Sequence, residues 1–303
     1  MIPEGRRASD RFPWRSVPRR GASLVLPLLL LGCDAGTIRP SGIRPAPPRD
    51  AREAVQRINQ NLSKITGALY CPALASFRFR DAEGRDRRFI GHPATVIFQA
   101  PRSLYFDIKS SIGGSVARIG SNDEHYWLWV DTPEVRRLYH GRWGLLRRGQ
   151  TRRMPVPPDQ LLDALMLRPV PDLVPGLSKP LLEVRGNDHR LKFIGLRPDG
   201  WPYVKREFRL DTRPPYMPVE IIDRDPEGRV VMHARLGNYR PVRDTGRDGP
   251  CTPRSYVVRW ELDQAEMRLD FSDVRYRTGD APFCDFPDQW EGETESLDET
   301  AGT

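Results

Sequence analysis

The side chains able to do chemistry are scattered. Five histidines, His92, His125, His140, His189 and His233, share neither the HxH nor the HxxxH spacing that aims two imidazoles at one metal ion. No Gly-x-Ser-x-Gly elbow raises a serine on a strand-to-helix turn, and Gly113-Gly114-Ser115 lacks that context. No Cys-x-x-Cys pair or phosphate-cradling loop occurs. Asp123-Glu124-His125 gathers three titratable groups at a turn before a strand, where solvation explains them without catalysis. The chain therefore reads as a non-enzyme with no cofactor and no metal, although a site assembled from distant residues leaves no local motif.

Cysteine chemistry is the exception. Arg19 and Arg20 lead into the apolar run Ala22–Leu31, which ends at Gly32-Cys33. A basic start, a short apolar core and a small residue before the cut describe a secretory signal peptide. The run is far short of the roughly 20 residues that span a bilayer, and Pro27 interrupts it. Leu30-Leu31-Gly32-Cys33 resembles the lipobox of bacterial lipoproteins, which implies removal of residues 1–32 and a diacylated Cys33 holding the chain to membrane lipid. Cys71, Cys251 and Cys284 then remain in an oxidising compartment, so one internal disulfide at most can form. Cys251 and Cys284 flank the last strand pair and are the favoured partners; Cys71 with either stays open.

Removing the leader also changes the charge. Of the formal +8, six arginines against two acids belong to residues 1–32, so the mature chain carries +4. The remaining arginines alternate with acids and form no basic stripe, so nucleic acid is not implied.

The elements that must position everything else follow a simple order. Residues 33–49, with Pro40, Pro45, Pro47 and Pro48, form an extended tether. Asp50, with Glu53 three positions on, predicts a helix start, and Ala54, Val55, Ile58, Leu62 and Ile65 recur at helical spacing. From there the period is two. Phe77 and Phe79 alternate with Arg78 and Arg80 before the turn Asp81-Ala82-Glu83-Gly84, and further strands are expected at 94–98, 104–108, 116–119 and 126–130. A proline-led helix carries Leu161, Leu162, Leu165 and Met166. Strands at 191–196, 203–210, 219–223, 230–236, 256–262 and 267–271 complete the pattern.

About eleven antiparallel strands with two short helices suit a mainly β fold. We expect a single strongly curved antiparallel sheet, an unclosed β-barrel over residues 50–290 plugged by the helices, with residues 291–303 a disordered acidic tail. Phe77, Phe79, Phe106, Trp127, Trp129, Phe193, Trp260 and Phe271 sit at strand spacing. Core packing accounts for such aromatics by default; those on the concave side would line a lipid-sized cavity.

The order of helix, meander, glycine loop, proline-led helix and second meander resembles the LolA/LolB-like lipoprotein localisation family. Ile112-Gly113-Gly114-Ser115 resembles the Pro-Leu-Gly-Ser turn of its outer-membrane receptor. Met154-Pro155-Val156-Pro157 resembles the receptor's Met-Pro-Ile-Pro helix start, and Leu269–Val274 resembles a late strand of the periplasmic carrier. The resemblance implies an unclosed barrel whose apolar cavity takes the acyl chains of lipoproteins or other lipids. It further implies a membrane-touching role for Ile112, a lipoprotein carrier or transport partner, and a periplasm-facing protein on the outer rather than the inner membrane. The chain is longer than the receptor, with extra strands in its second half, which leaves cargo open. A non-catalytic envelope lipoprotein that holds a protein partner for sensing or scaffolding is the alternative.

Overall fold

The helix start falls where Asp50 and Glu53 place it. The Asp50 carboxylate accepts from the Glu53 backbone N–H at 2.8 Å, and Glu53 accepts in turn from the Arg49 N–H at 2.8 Å. Helix α1 (Ala51–Ser63) then buries Ala54, Val55, Ile58 and Asn61 along one stripe. The structure is a computed structural model that describes residues 46–80, 84–132, 136–152, 156–171, 179–246, 248–278, 284–287, 290 and 292–299. The leader, Cys33, most of the tether, the turn residues Asp81-Ala82-Glu83, and Met154-Pro155 lie outside the described residues.

After α1 a meander runs through β1 (Leu69–Arg80), β2 (Asp86–Gln99), β3 (Ser103–Lys109), β4 (Ser115–Ser121), β5 (His125–Asp131) and β6 (Arg136–Arg142). Two short helices follow, α2 (Trp143–Leu146) and α3 (Pro158–Ala164), the latter with Pro158 in its first turn. A second meander contains β7 (Leu181–Arg185), β8 (Asp188–Leu196), β9 (Pro202–Leu210), β10 (Pro218–Arg224) and β11 (Val230–Gly237). The hairpin of β12 (Arg240–Pro241) and β13 (Cys251–Thr252) precedes β14 (Ser255–Trp260) and β15 (Ala265–Phe271). Last come β16 (Arg275–Tyr276) and β17 (Glu293–Ser296).

Fifteen of these strands make one strongly curved sheet that does not close into a barrel. Its order is β17-β6-β5-β4-β3-β2-β1-β15-β14-β11-β10-β9-β8-β7, with β16 also on β1. The expected mainly β, unclosed and helix-plugged architecture is what forms. The strands beyond eleven are β6, β7, β16 and β17, which are short or lack a clean apolar alternation.

Two expectations are corrected. The acidic tail is not disordered through its described part, because β17 pairs with β6 in parallel, and this makes the sheet mixed rather than wholly antiparallel. Charge supplies what hydrophobic periodicity does not. Arg137 meets Glu293 at 3.1 Å, Arg152 meets Glu295 at 3.2 Å and Arg142 meets Asp298 at 2.8 Å, while Leu297 is buried beside them.

Register settles which side chains share a face. Leu69, Phe98 and Leu104 lie opposite one another in one row, and Cys71, Val96, Phe106, Ile119 and Leu128 in the next, both on the concave side. Across the β1–β15 seam a further row runs from Ala75 through Leu269 and Tyr256 to Leu236. Helices α1 and α3 cover these rows, with Val55, Ile58, Leu161 and Leu162 fully buried against the sheet.

Candidate functional site

Between the two plug helices and the sheet lies a cavity of about 20 Å³, room for about one water molecule. Leu62 of α1, and Leu165, Met166 and Leu167 just after α3, form its roof. Leu69, Cys71, Val96, Phe98, Tyr256 and Phe271 form its floor, and Cys251, Thr252 and Pro253 close one end. Burial raises the proton affinity of the groups inside. The Cys71 thiol is pushed up to about 12, and the Tyr256 and Tyr239 hydroxyls are pushed up as well.

The roof helices are fastened by polar groups at their edges. From α1, the Asn59 amide donates to the Val170 carbonyl at 2.7 Å and accepts from the Val170 N–H at 2.8 Å. Two residues on, Asn61 does the same to Cys251, with both bonds at 2.8 Å. One helix is thus pinned to the segment after α3 and to the β12–β13 hairpin by two paired amide bonds. Helix α3 is held by charge. Asp163 pairs with Arg168 and with Arg206 of β9 at 2.7 Å, and Arg206 also meets Asp223 of β10 at 2.6 Å. The two carboxylates keep the Arg206 guanidinium firmly protonated despite its burial, and its register opposite Phe193 puts it on the concave face.

The aromatic candidates divide between the two faces. Phe77 meets Phe106 with ring centroids 6.0 Å apart, and Phe193 meets Phe208 at 5.8 Å, all on the concave side. Phe79 stacks on Phe89 near the β1–β2 turn at 6.0 Å, and Trp260 is fully buried. Of the eight, Phe271 alone lines the cavity, where its ring meets Tyr256 at 5.2 Å. Trp127 and Trp129 are corrected. Trp127 lies opposite Gly120 and His140, and Trp129 opposite Arg118 and Leu138, so both point to the convex face. Phe286 covers Trp127 edge-on at 5.6 Å and Trp290 covers Trp129 at 5.5 Å.

Ile112 is 98% exposed at the tip between β3 and β4, followed by Gly113 and Gly114 at positive φ. The favoured Cys251–Cys284 pair is not formed; Cys71, Cys251 and Cys284 are all free thiols. Their places explain this. Cys251 lines the concave cavity, whereas Cys284 lies two residues before Phe286, which packs on the convex side. Among the described residues no group of three or more His, Cys, Asp or Glu side chains is placed to hold a metal ion, and no helix is long and apolar enough to cross a membrane.

Sequence reasoning missed Asn59, Asn61, Asp163, Arg206 and Asp223. One signal was present. Asn61 falls three residues after Ile58 on the buried stripe of α1, where an unpaired amide would be costly and a partner is required. The ionic group left no trace, since each member sits in an ordinary alternation of charged and apolar residues.

No protein-family model and no curated protein matches this sequence. Among solved structures it is similar to a protein domain named for outer membrane lipoprotein sorting from Vibrio parahaemolyticus. That match has 12% identity, spans 76% of this chain and 95% of the other, and has a TM-score of 0.45. It is also similar to a DUF1329 family protein from Desulfovibrio piger, at 12% identity over 78% and 96% of the two chains with a TM-score of 0.47. A LolA superfamily protein from Nitrosomonas europaea matches at 15% identity over 75% and 94%, with a TM-score of 0.43. The last bears the name of the family that the sequence motifs resemble. Overlaps this loose transfer no ligand or partner.

Proposed function

We propose that this chain is a lipid-binding protein of the bacterial cell envelope that accepts or transfers acyl chains of lipoproteins or similar lipids. The observation that carries this reading is the apolar cavity between the sheet, Leu62 of α1 and the Leu165–Leu167 segment after α3, with both helices tied at their edges by polar pairs in addition to their buried apolar stripes. The mechanism is non-covalent. Leu62, Leu165 and Met166 withdraw from the sheet, and acyl methylenes take their place at about 0.8 kcal/mol each. Release follows when a bilayer offers the same burial without the cost of the open latches. In this reading Cys33 carries the lipid anchor, the protein faces the periplasm from the outer membrane, and a lipoprotein carrier delivers or receives the cargo. Ile112 at its exposed tip touches the membrane.

The test is saturable binding. Full-length protein stripped of lipid is titrated with a fluorescent acyl chain, and native mass spectrometry looks for co-purified lipid. We expect one saturable site and weaker binding when Leu165 is enlarged to Trp. Protein that carries no lipid and shows no saturation, even after the latches are weakened by Asn61→Ala, would sink the proposal.

A second reading draws on the size of the cavity, which at about 20 Å³ is closed to any acyl chain unless the helices move. A non-catalytic scaffold that holds a protein partner needs no such movement. Cys71 separates the two. Its alkylation rate should rise on lipid addition if the roof opens, and stay at zero if the core is solid.

A further inference from the structure

The turns along one end of the sheet carry most of the large apolar side chains that the fold leaves in solvent. Strands β1, β3, β8, β10 and β14 run in one direction, so the turns that follow them share a rim. Among the described residues eight large apolar side chains are exposed, and five of them, Ile90, Ile112, Leu196, Trp201 and Leu262, stand on or beside this rim. Only Val184 stands near the opposite one. Trp201, in the β8–β9 turn, is the largest of the set and 69% exposed, and Leu196, which ends β8 in front of the same turn, is 59% exposed.

Turn geometry does not call for them. Three turns of this rim, at 110–114, 197–201 and 225–229, have the same five-residue build. The first N–H donates to the fifth carbonyl at 2.9, 2.9 and 3.0 Å, and the fourth N–H donates to the first carbonyl at 3.2, 2.9 and 2.9 Å. The fourth residue is glycine at positive φ in each, Gly113, Gly200 and Gly228, where a side chain would be strained. The third and fifth places are free to vary. The β10–β11 turn fills them with Glu227 and Arg229, whereas the β3–β4 turn puts Ile112 at the third and the β8–β9 turn puts Trp201 at the fifth. Trp201 is also fixed there, its backbone N–H donating to the Asp199 carboxylate at 3.0 Å. The tips stand on separate turns, which suits a fluid partner: a protein interface needs a contiguous packed patch, whereas lipid closes around single protrusions. Tryptophan, an apolar ring with one N–H donor, belongs at the level of lipid headgroups, and the exposed Lys109 and Arg88 on the same rim suit the phosphates there.

We infer that the β8–β9 turn is a second point of membrane contact, with Trp201 and Leu196 entering the headgroup layer of a phospholipid bilayer alongside Ile112. The inference rests on the membrane-touching reading of Ile112 above and is independent of acyl binding. One tip lets the protein pivot on a bilayer. Two tips, one from each meander, fix which end of the sheet faces it.

The test uses the processed chain, residues 33–303 with Cys33→Ser, so that neither leader nor acyl anchor contributes. Its ligand is vesicles of phosphatidylcholine, with and without brominated acyl chains. This protein should sediment with the vesicles, and bromine should quench part of its tryptophan fluorescence. Trp201→Ser should lower the partition coefficient about tenfold and Leu196→Ser about threefold. Glu227→Gln, in a turn of the same build, should leave it unchanged. Trp201→Phe should keep binding yet lose most of the bromine quenching, a readout that a structural role would not move. Binding lowered by Ile112→Ser but not by Trp201→Ser overturns the inference and leaves the reading of Ile112 standing. Absence of vesicle binding in the processed chain overturns both, while saturable acyl binding stands or falls separately. Self-association without lipid that Trp201→Ser abolishes assigns the turn to a second copy of the chain and likewise overturns the inference.

Discussion

The two plug helices are held over the same sheet by different chemistry. Helix α1 uses neutral amides, Asn59 and Asn61, each closing a two-bond ring with a backbone unit. Helix α3 uses a chain of charges from Arg168 through Asp163 and Arg206 to Asp223. Amide pairs are short-ranged and indifferent to salt, whereas ionic pairs respond to it, the partly buried ones less than the exposed ones. The difference makes α3 the helix more responsive to ionic strength, while α1 stays docked.

Breaking the ionic latch should have the largest effect. Arg206→Ala leaves Asp163 and Asp223 on the concave face without their shared partner and should cost about 3 kcal/mol or more by urea unfolding. Replacing all three by apolar residues, Arg206→Met with Asp163→Leu and Asp223→Leu, should recover most of that loss. If the triple variant is no better than the single, the charges contribute more than mutual compensation. The amide latch comes next. Asn61→Ala strands the Cys251 N–H and carbonyl, and Asn59→Ala strands those of Val170, at about 1–3 kcal/mol each. Hydrogen exchange should accelerate at the stranded amide in each case. The loss should be the same at low and high salt, and a salt-dependent loss would erase the distinction between the helices.

The cavity itself answers to alkali. Asn59 and Asn61 do not titrate, so an alkaline response at their end of the cavity belongs to the groups whose proton affinity burial raises there, Cys71, Cys251, Tyr239 and Tyr256. Below pH 9.0 the Cys71 thiol is neutral in folded and unfolded chains alike, and stability is full. As the pH rises from there toward about 12, only the unfolded chain releases the proton readily, so stability falls. Unfolding midpoints across this window should decline, and Cys71→Ala should flatten part of the slope. The smallest effect on stability is expected at Ile112, because a side chain already in solvent loses nothing. Ile112→Ser should stay within about 0.5 kcal/mol of wild type yet reduce binding to lipid vesicles. A parallel fall in stability would mean that the tip is structural.

Much of the fold was legible because apolar alternation is strong where one face is buried. Phe77 and Phe79 between arginines, or Val230, Met232, Ala234 and Leu236 in a row, leave little choice of period. The Asp50 cap was equally plain. In β5 the alternation failed as a guide to facing, because Tyr126 and Leu128 are as apolar as Trp127 and Trp129. Both faces of that strand are covered, one by the core and the other by Phe286 and Trp290. The C-terminal strand escaped notice since Glu293-Thr294-Glu295-Ser296 has no apolar face at all, and its partners are arginines more than 140 residues earlier by about the same logic that pairs distant charges in any sheet.

The seam between β1 and β15 sets the order in which the molecule can assemble. Ala73 lies opposite Phe271 and Arg78 opposite Glu266, so the middle of the sheet joins residues about 200 positions apart along the chain. Each meander can zip locally through short turns, yet neither has a complete floor beneath its helix until the late strand arrives. Such a high contact order predicts slow folding, and a chain made from its N-terminus carries an unpaired β1 edge until nearly all of its length is available. Synthesis and folding are thereby separated in time, and any factor that must act on the chain while it is still open has that interval in which to do so.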